Sequence, residues 1–147
     1  MRKEAIEETI RRASVCRLAM RDGNTPYIVP LCFGYRDGVL YFHGSLESRK
    51  YALMKKHPKV CFEVDILAEA IPAPDPCNWD MRYRSVVGFG EAHMLAGHDE
   101  KRQALEIIAA HYAKGPASVL DNKVRKTAVF KVVIASMTGK QSGFDSP

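Results

Sequence analysis

Several patterns are absent from this chain of 147 residues, and each absence excludes a class of protein. No apolar run approaches the roughly 20 residues that a membrane-spanning helix needs. The four cysteines form no Cys-x-x-Cys pair, so no metal site is expected. No glycine-rich turn joins a strand to a helix, which argues against a dinucleotide-binding fold. The sequence therefore predicts a soluble domain without a structural metal or a membrane partner.

The N-terminal residues and the charge add two further exclusions. The first residues are charged and contain no apolar signal core, so the sequence predicts a cytoplasmic protein. The net charge of +5 is modest, and the basic residues are scattered rather than gathered into an arm or a known nucleic-acid motif. Nucleic acid is not an expected partner, whereas a small anionic ligand agrees with the charge.

The composition is that of one domain over residues 1–147. Hydrophobic residues make up 46% of the chain and charged residues 27%, as in ordinary globular proteins. A chain of this length buries roughly 70% of its unfolded surface and needs no disulfide. The four cysteines are therefore expected to be reduced thiols, mostly buried among apolar neighbours: Cys16, Cys32, Cys61 and Cys77.

Short apolar stretches separated by turn residues dominate the chain and predict a mainly β fold. The Asp37-Gly38 pair between two apolar runs is typical of a hairpin. Six strands are predicted, over residues 15–21, 26–35, 39–43, 59–65, 82–95 and 127–137. Helices are predicted over residues 3–13, from Ser45 or Ser48 to residue 57, and over 100–113. Closely spaced strands with peripheral helices favour an antiparallel β-barrel over a doubly wound sheet.

The stretch from Leu40 to Lys50 changes from an apolar strand to a basic helix start, and two interpretations remain open. A helix that begins at Ser45 or Ser48 has free main-chain N–H groups, where the helix dipole favours an anion. Arg49 and Lys50 can reach back over that first turn, because helical side chains lean toward the N-terminus. The residues indicate either a phosphate site or an ordinary solvated basic face.

Three further features each allow a structural and a ligand-binding interpretation. Pro30 cannot donate to a β-ladder, so it marks an edge strand or a place where free main-chain groups meet a ligand. Gly88 and Gly90 share one strand face, as expected for a barrel bend or for close contact with a flat ligand. The proline-rich residues 71–80 are typical of a binding loop, while Trp79 is expected to pack in the core.

Several segments of the chain together resemble a known superfamily. FHGSLESRK, CFEVD, CNWDMRYRSVVGFGEAHML and the closing MTGK are similar to FMN-binding split-barrel proteins, the group that contains pyridoxamine 5'-phosphate oxidase. The chain is most similar to the nitroimidazole-resistance branch, and the similarity extends from Val15 to Lys140. It implies a six-stranded antiparallel split barrel that binds FMN at a homodimer interface. It also gives the stretch ending in Arg49 and Lys50 the role of the phosphate site.

Carried onto this sequence, the resemblance implies three groups of cofactor-binding residues. The phosphate meets the start of the helix, where the Ser45 hydroxyl adds a donor to the matching residues Ser48, Arg49 and Lys50. The flavin ring faces the main chain of one strand, at Val29, Pro30, Leu31 and Cys32. The strand beneath the ring ends in Phe42 and His43, and the partner subunit closes the site at Ser85 and Val86.

The sequence departs from the superfamily pattern at two places. Many relatives in the nitroimidazole-resistance branch have glycine at the position of Ser48. The C-terminal substrate segment of the oxidase, with its Trp and Arg pair, is absent from MTGKQSGFDSP. Oxidation of pyridoxamine phosphate is therefore not expected.

The resemblance implies flavin redox chemistry, which does not require a catalytic base. The leading prediction is an FMN-dependent oxidoreductase that reduces nitro compounds or a related small electron acceptor. In that case His43 is the candidate catalytic residue, as a proton donor beside the flavin, although it could instead only hydrogen-bond phosphate or main chain. The alternative is a non-catalytic flavin- or haem-binding module on the same barrel, with His43 or His93 as the axial ligand of a haem.

Overall fold

The structure, a computed structural model, describes residues 1–144. Seven strands form one antiparallel sheet: β1 (Cys16–Asp22), β2 (Thr25–Leu31), β3 (Gly34–Arg36), β4 (Val39–Gly44), β5 (Lys59–Ile71), β6 (Asp80–Met94) and β7 (Ala128–Ser142). The helices are α1 (Lys3–Arg12), α2 (Arg49–Lys56), α3 (His98–Ala113) and α4 (Asp121–Lys126). The prediction of a mainly β protein with peripheral helices is confirmed. The predicted domain, residues 1–147, includes 145–147, which lie outside the described residues.

The predicted number of six strands is wrong because the chain breaks at Cys32 and Phe33. Residues 26–35, predicted as one strand, supply β2 and β3, which lie at opposite ends of the sheet order β2-β1-β5-β6-β7-β4-β3. The Phe33 N–H donates to the Tyr112 hydroxyl (3.0 Å) instead of to a strand, and that hydroxyl donates to the Ser14 carbonyl (2.9 Å). Because so short a connection joins the two edges, the sheet must curl until they meet, which closes a split barrel.

The inward side of the curled sheet holds the main core. Strand β1 alternates buried and exposed side chains, so a shift of one residue in register would turn its apolar set to solvent. The Phe42 and Phe130 rings stack in this core, with their centroids 5.0 Å apart. α1 and α2 pack against the same core through the buried side chains of Ile6, Ile10 and Met54.

The helices α3 and α4 cover only part of the outside of the barrel. α3 packs on β3, β4 and β7, and its apolar residues form a second core with α4. Among residues 1–144, no helix covers the outward side of β1, β2, β5 and β6. We call this surface the outer face; it carries Ala19, Ile28, Cys61, Val87 and Phe89, which lie in neighbouring register positions.

The long strands β5 and β6 extend past the barrel as an arm, which explains where Trp79 lies. The arm begins beyond Ile66, where the register of the pair shifts, and a turn over residues 72–79 closes it. The Trp79 ring is exposed, and its Nε1–H donates to the Ala73 carbonyl at 3.0 Å. The prediction that Trp79 packs in the core is wrong, because the tip of the arm lies outside the barrel.

The glycine pair on β6 lies where neighbouring groups approach the strand closely. A Cβ atom at Gly88 would overlap the Phe62 ring and lie 2.9 Å from the Ser136 carbonyl oxygen. A Cβ atom at Gly90 would lie 2.5 Å from the Val133 carbonyl oxygen, at the point where the pairing with β7 shifts. Close packing within the sheet therefore requires glycine at both positions, and the flat-ligand interpretation is wrong because the chain itself fills that space.

The cysteines are less buried than the sequence predicts. All four are free thiols, but only Cys16 is buried; Cys61 is half-buried, and Cys32 and Cys77 are exposed. Cys32 lies at the break between β2 and β3 and Cys77 lies in the arm, so neither faces the core. Burial raises the pKa of the Cys16 thiol to about 12, and burial also raises the pKa of Cys61.

We expect these environments to separate the thiols by reactivity. The thiolate is the reactive form, so at pH 8 a thiol with a pKa of about 12 reacts roughly a thousandfold more slowly than an ordinary exposed cysteine. Alkylation with iodoacetamide, followed by peptide mass spectrometry, should label Cys77 in the folded protein and Cys16 only after denaturation. Equal labelling rates in the folded protein would contradict the burial of Cys16.

Candidate functional site

The start of α2, residues 48–50, consists of the N-cap residue and the first two helical residues and contains a buried hydroxyl without a partner. Ser48 is the N-cap residue, but its side chain makes no cap hydrogen bond, and its buried Oγ has no partner among the described residues. Nearby, the Ser45 carbonyl accepts from the Ser48 N–H (3.1 Å), and the Ser45 Oγ accepts from the Glu47 N–H (3.2 Å). A buried polar atom without a partner costs about 1–3 kcal/mol. The Ser48 hydroxyl is therefore placed to bond a group from outside the chain.

The main chain of this turn also favours an anion. The first N–H groups of a helix have no partner within the helix, and those of Arg49 and Lys50 have no main-chain acceptor in the described part of the chain. The other three helices each have an acidic residue in the first turn, whereas α2 has none. The positive end of the α2 dipole thus lacks the carboxylate that accompanies the other helix starts.

Lys50 adds a cation next to the end of β4. Its amino group lies over Gly44, where a Cβ atom would be only 3.1 Å from Lys50 Nζ. The glycine therefore provides the space that the amino group occupies. Lys50 forms no ion pair within residues 1–144, so its charge is available to a ligand.

Arg49 is held by the β1–β2 hairpin, a contact that the sequence did not predict. Its Nε–H donates to Asp22 Oδ2 (3.1 Å), its Nη2 bonds the same oxygen, and its guanidinium lies 4.6 Å from the centre of the Tyr27 ring. The Asp22 carboxylate raises the pKa of Arg49. Asp22 pairs with Thr25 and Tyr27 with Met20, so both side chains lie on one face of the hairpin. Only this register, together with the position of α2, could have revealed their role.

The strand predicted to face the flavin ring lies beside this site. β2 is an edge strand that, within residues 1–144, pairs only with β1, so the edge interpretation of Pro30 is confirmed. The predicted residues alternate: the odd-numbered members are half-buried against the core, and the even-numbered members are exposed. They are Val29, Pro30, Leu31 and Cys32. The contact between Tyr27 and Arg49 joins β2 to the start of α2.

The end of β4 presents one side chain inward and the next outward. Phe42 is fully buried, so only its main chain can meet a ligand. His43 follows with an exposed side chain and precedes Gly44, over which the Lys50 amino group lies. His43 is therefore separated from Arg49, the first residue of α2, by the segment 44–48.

The fold of one chain does not bring Ser85 and Val86 to this site. Ala19 pairs with Cys61, and Val64 pairs with Val86, so Val86 lies about six residues along the strand direction from the position of Asp22. At about 3.3 Å per residue, this separation is roughly 20 Å. The Val86 side chain is fully buried in the core. Their predicted role requires a second chain.

The outer face contains a cleft of about 740 Å³. Its lining is mainly apolar, with Ala19, Cys61, Phe89 and Val133, and it also includes Lys59 and His93. Phe89 is 56% exposed.

Beside the cleft, a charged cluster lies on the same face. Arg17 donates to Glu63 (2.9 Å) and to Asp65. Partial burial raises the pKa of Glu63, while Arg17 acts in the opposite direction.

Two further properties concern membranes and metals. Within residues 1–144, no helix combines the length and the hydropathy needed to cross a membrane. In the same part of the chain, no group of three or more His, Cys, Asp or Glu side chains is arranged to hold a metal ion.

The curled barrel and the anion-favouring helix start define a flavin-binding split-barrel protein. The chain belongs to the pyridoxamine 5'-phosphate oxidase family, whose pattern matches residues 2–141. A proposed 5-nitroimidazole antibiotic resistance protein from Bacteroides thetaiotaomicron is 33% identical, with a TM-score of 0.83 over 94% of this chain and 82% of that one. The resemblance predicted from the sequence is thereby confirmed.

More distant relatives share the fold. The FAD and haem binding protein of Mycobacterium smegmatis is 20% identical, with a TM-score of 0.85 over 96% of this chain and 71% of that one. An FAD-binding protein of Mesorhizobium loti is 22% identical, with a TM-score of 0.74 over 97% of this chain and 96% of that one. No curated protein sequence matches the chain.

Proposed function

We propose that this protein is an FMN-dependent oxidoreductase that reduces nitro compounds or a related small acceptor. The observation that carries the proposal is the buried Ser48 hydroxyl, without a partner among the described residues, at a helix whose first turn has two cations and no acidic residue. The 33% identity to a proposed 5-nitroimidazole resistance protein supports the choice of nitro compounds.

The residues at the start of α2 fit a terminal phosphate. The Ser48 hydroxyl and the free N–H groups of the first turn can donate to phosphate oxygens, and Lys50 adds a point charge over Gly44. Arg49 supplies a planar fork of donors that suits phosphate. Lys50 and the free edge of the Arg49 guanidinium supply cationic donors to one phosphate, and this single site favours FMN over the diphosphate of FAD.

The remaining predicted residues have defined tasks in this proposal. The exposed edge of β2, from Val29 to Cys32, offers main-chain groups to the polar edge of the flavin ring. A bound flavin supplies hydride or single-electron transfer. His43, with an exposed side chain beside the start of α2, is the candidate proton donor, because histidine readily exchanges a proton near neutral pH.

We also infer a homodimer that forms through the outer face. Exposed apolar side chains on this face, including Ile28, Val87 and Phe89, are left without cover by the helices. Two-fold pairs are the most common soluble assemblies, and they apply the same surface twice. A partner copy would also bring Ser85 and Val86 to a site that one chain leaves roughly 20 Å away.

A haem-binding module is the second candidate. The observation that favours it is His93, which lines the apolar cleft of the outer face and could serve as an axial ligand. The absence of any metal-holding cluster within residues 1–144 does not bear on this candidate, because a haem needs only one such side chain.

The absorption spectrum of the purified protein, with mass spectrometry of the ligand released on denaturation, separates the candidates. We expect a flavin spectrum and the mass of FMN at one equivalent per chain. A Soret band would favour the haem module, and stoichiometric FAD or a deazaflavin would contradict the assignment of FMN. Anaerobic mixing of the reduced protein with a nitroimidazole then tests the reaction: flavin reoxidation no faster than with free FMN would contradict the nitro substrate.

A further inference from the structure

The guanidinium of Arg49 is restrained on two sides by the β1–β2 hairpin. Nε and Nη2 both bond the same oxygen of Asp22, and the Tyr27 ring covers one face of the group at 4.6 Å. Of its five N–H groups, those two contacts leave one on Nη2 and both on Nη1. The two terminal nitrogens form the edge that binds phosphate in a bidentate manner. The hairpin thus occupies one edge and one face of the Arg49 guanidinium, and it leaves open the edge formed by Nη1 and Nη2, which can bind phosphate.

We propose that Asp22 is a positioning residue for phosphate recognition, acting through Arg49. The inference rests on the proposed phosphate site at the start of α2. Asp22 holds the long Arg49 side chain in its binding orientation before the ligand arrives, so that less conformational freedom is lost on binding. The binding preference for a phosphorylated flavin over the same flavin without phosphate then depends on a residue of the β1–β2 hairpin.

Asp22 is the less exposed member of the pair and is held by the hairpin. It is the last residue of β1, and the turn that follows uses Gly23 at φ +59°. The Arg21 Nε–H donates to the Gly23 carbonyl at 3.1 Å and restrains that turn. The Asp22 side chain is 34% exposed, against 63% for Arg49. A fixed carboxylate that orients an exposed arginine agrees with a positioning role.

Electrostatic repulsion between Asp22 and the phosphate acts against binding and has to be distinguished from the positioning of Arg49. Its carboxylate is an anion near the proposed phosphate position, so simple repulsion would make Asp22 unfavourable for FMN binding. Repulsion acts whether or not Arg49 is present, whereas positioning requires Arg49. A double-mutant cycle between the two residues therefore distinguishes the two effects.

The experiment measures dissociation constants of FMN and riboflavin by flavin fluorescence at fixed salt, for the wild-type protein and the variants Asp22→Ala, Asp22→Asn, Arg49→Ala and Asp22→Ala/Arg49→Ala. The readout is the preference for FMN, the riboflavin constant divided by the FMN constant. We expect Asp22→Ala to lower this preference about tenfold and Asp22→Asn to lower it less, because the amide oxygen still accepts a hydrogen bond. In the Arg49→Ala background, Asp22→Ala should change nothing.

The controls assign each outcome. Glu7→Ala removes another exposed ion pair, with Arg11, and should leave the preference unchanged. A higher preference after Asp22→Ala in both backgrounds would mean repulsion and overturn the inference. Equal losses for FMN and riboflavin, or a lower preference that persists without Arg49, would mean a structural role and also overturn it. If Arg49→Ala itself leaves the preference unchanged, the proposed phosphate site fails instead. Should Asp22→Ala not fold by circular dichroism, the near-isosteric Asp22→Asn carries the same cycle.

Discussion

Replacing Arg49 and Lys50 together by alanine is expected to weaken FMN binding by about 100-fold or more and to leave riboflavin binding almost unchanged. Both side chains lie at the start of α2, and Lys50 has no ion-pair partner within the described residues. Arg49 has to share its guanidinium between Asp22 and the phosphate. The ion pair with Asp22 occupies one edge of the guanidinium and leaves the edge formed by its two terminal nitrogens open to phosphate. Titration of both flavins by fluorescence measures the difference.

The matched control uses the other end of the same helix. Lys55 and Lys56 are exposed and lie in the last turn of α2, so their replacement by alanine removes the same charge without touching the site. We expect this variant to bind FMN like the wild-type protein at fixed ionic strength. Equal, small losses for FMN and riboflavin in the Arg49→Ala/Lys50→Ala variant would mean that the stretch is only a solvated basic face.

The second large effect is expected at the outer face. Phe89 is 56% exposed in the single chain and lines the apolar cleft. Burying a phenylalanine side chain contributes about 1.5–3 kcal/mol, and a two-fold dimer contains this residue twice. Phe89→Glu removes that contribution and adds a charge that burial disfavours. The dimer dissociation constant should rise at least about 100-fold, measured by light scattering over a dilution series.

The replacement of another exposed apolar residue by glutamate, outside the outer face, is the control for Phe89→Glu. Leu120 is 71% exposed and lies between α3 and α4, outside the outer face, so Leu120→Glu should leave the assembly intact. If Phe89→Glu remains a dimer at the same concentrations, the interface lies on another surface. A wild-type protein that is a monomer with one bound flavin would contradict the dimer altogether.

The two variants also test how the parts of the site are divided between chains. In the proposed site, the residues assigned to the phosphate lie within one chain, where β4, α2 and the β1–β2 hairpin meet. Ser85 and Val86 can take part only from a second copy. We therefore expect Phe89→Glu to weaken FMN and riboflavin binding to a similar degree, in contrast to the selective loss after the change at Arg49 and Lys50.

Local patterns were enough to predict most of the elements. The strand over residues 16–22 alternates mainly between apolar and polar side chains, a two-residue period that buries one strand face, and residues 39–44 begin as a short apolar run before a glycine. The start of α2 near Ser45 or Ser48 and its end before Pro58 follow from rules that involve only neighbouring residues, although only the structure decided for Ser48. Arg49 and Lys50 were found for the same reason, since a helix start and its flanking cations are adjacent in the chain.

Other features depended on which segments become neighbours in space. The apolar run over residues 26–35 does not show that its two halves pair with different strands, and the hydrogen bond from Phe33 to Tyr112 joins residues 79 positions apart. The large apolar side chain of Trp79 is typical of a core residue, but Trp79 lies at the tip of the arm, outside the barrel. The glycines of β6 allowed both a bend and a ligand until the Phe62 ring was seen to fill the space.

The sequence by itself determined the β-rich pattern, the helix start with its two cations, and the family to which the chain belongs. These depend on short-range periods, capping chemistry and motifs that are contiguous in the chain. Only the tertiary structure decided that the sheet has seven strands, that its outer face is left uncovered, and that Asp22 and Tyr27 hold Arg49. The physical reason is that strand pairing and the packing of a helix on a hairpin join residues distant in sequence, and no local propensity specifies those partners.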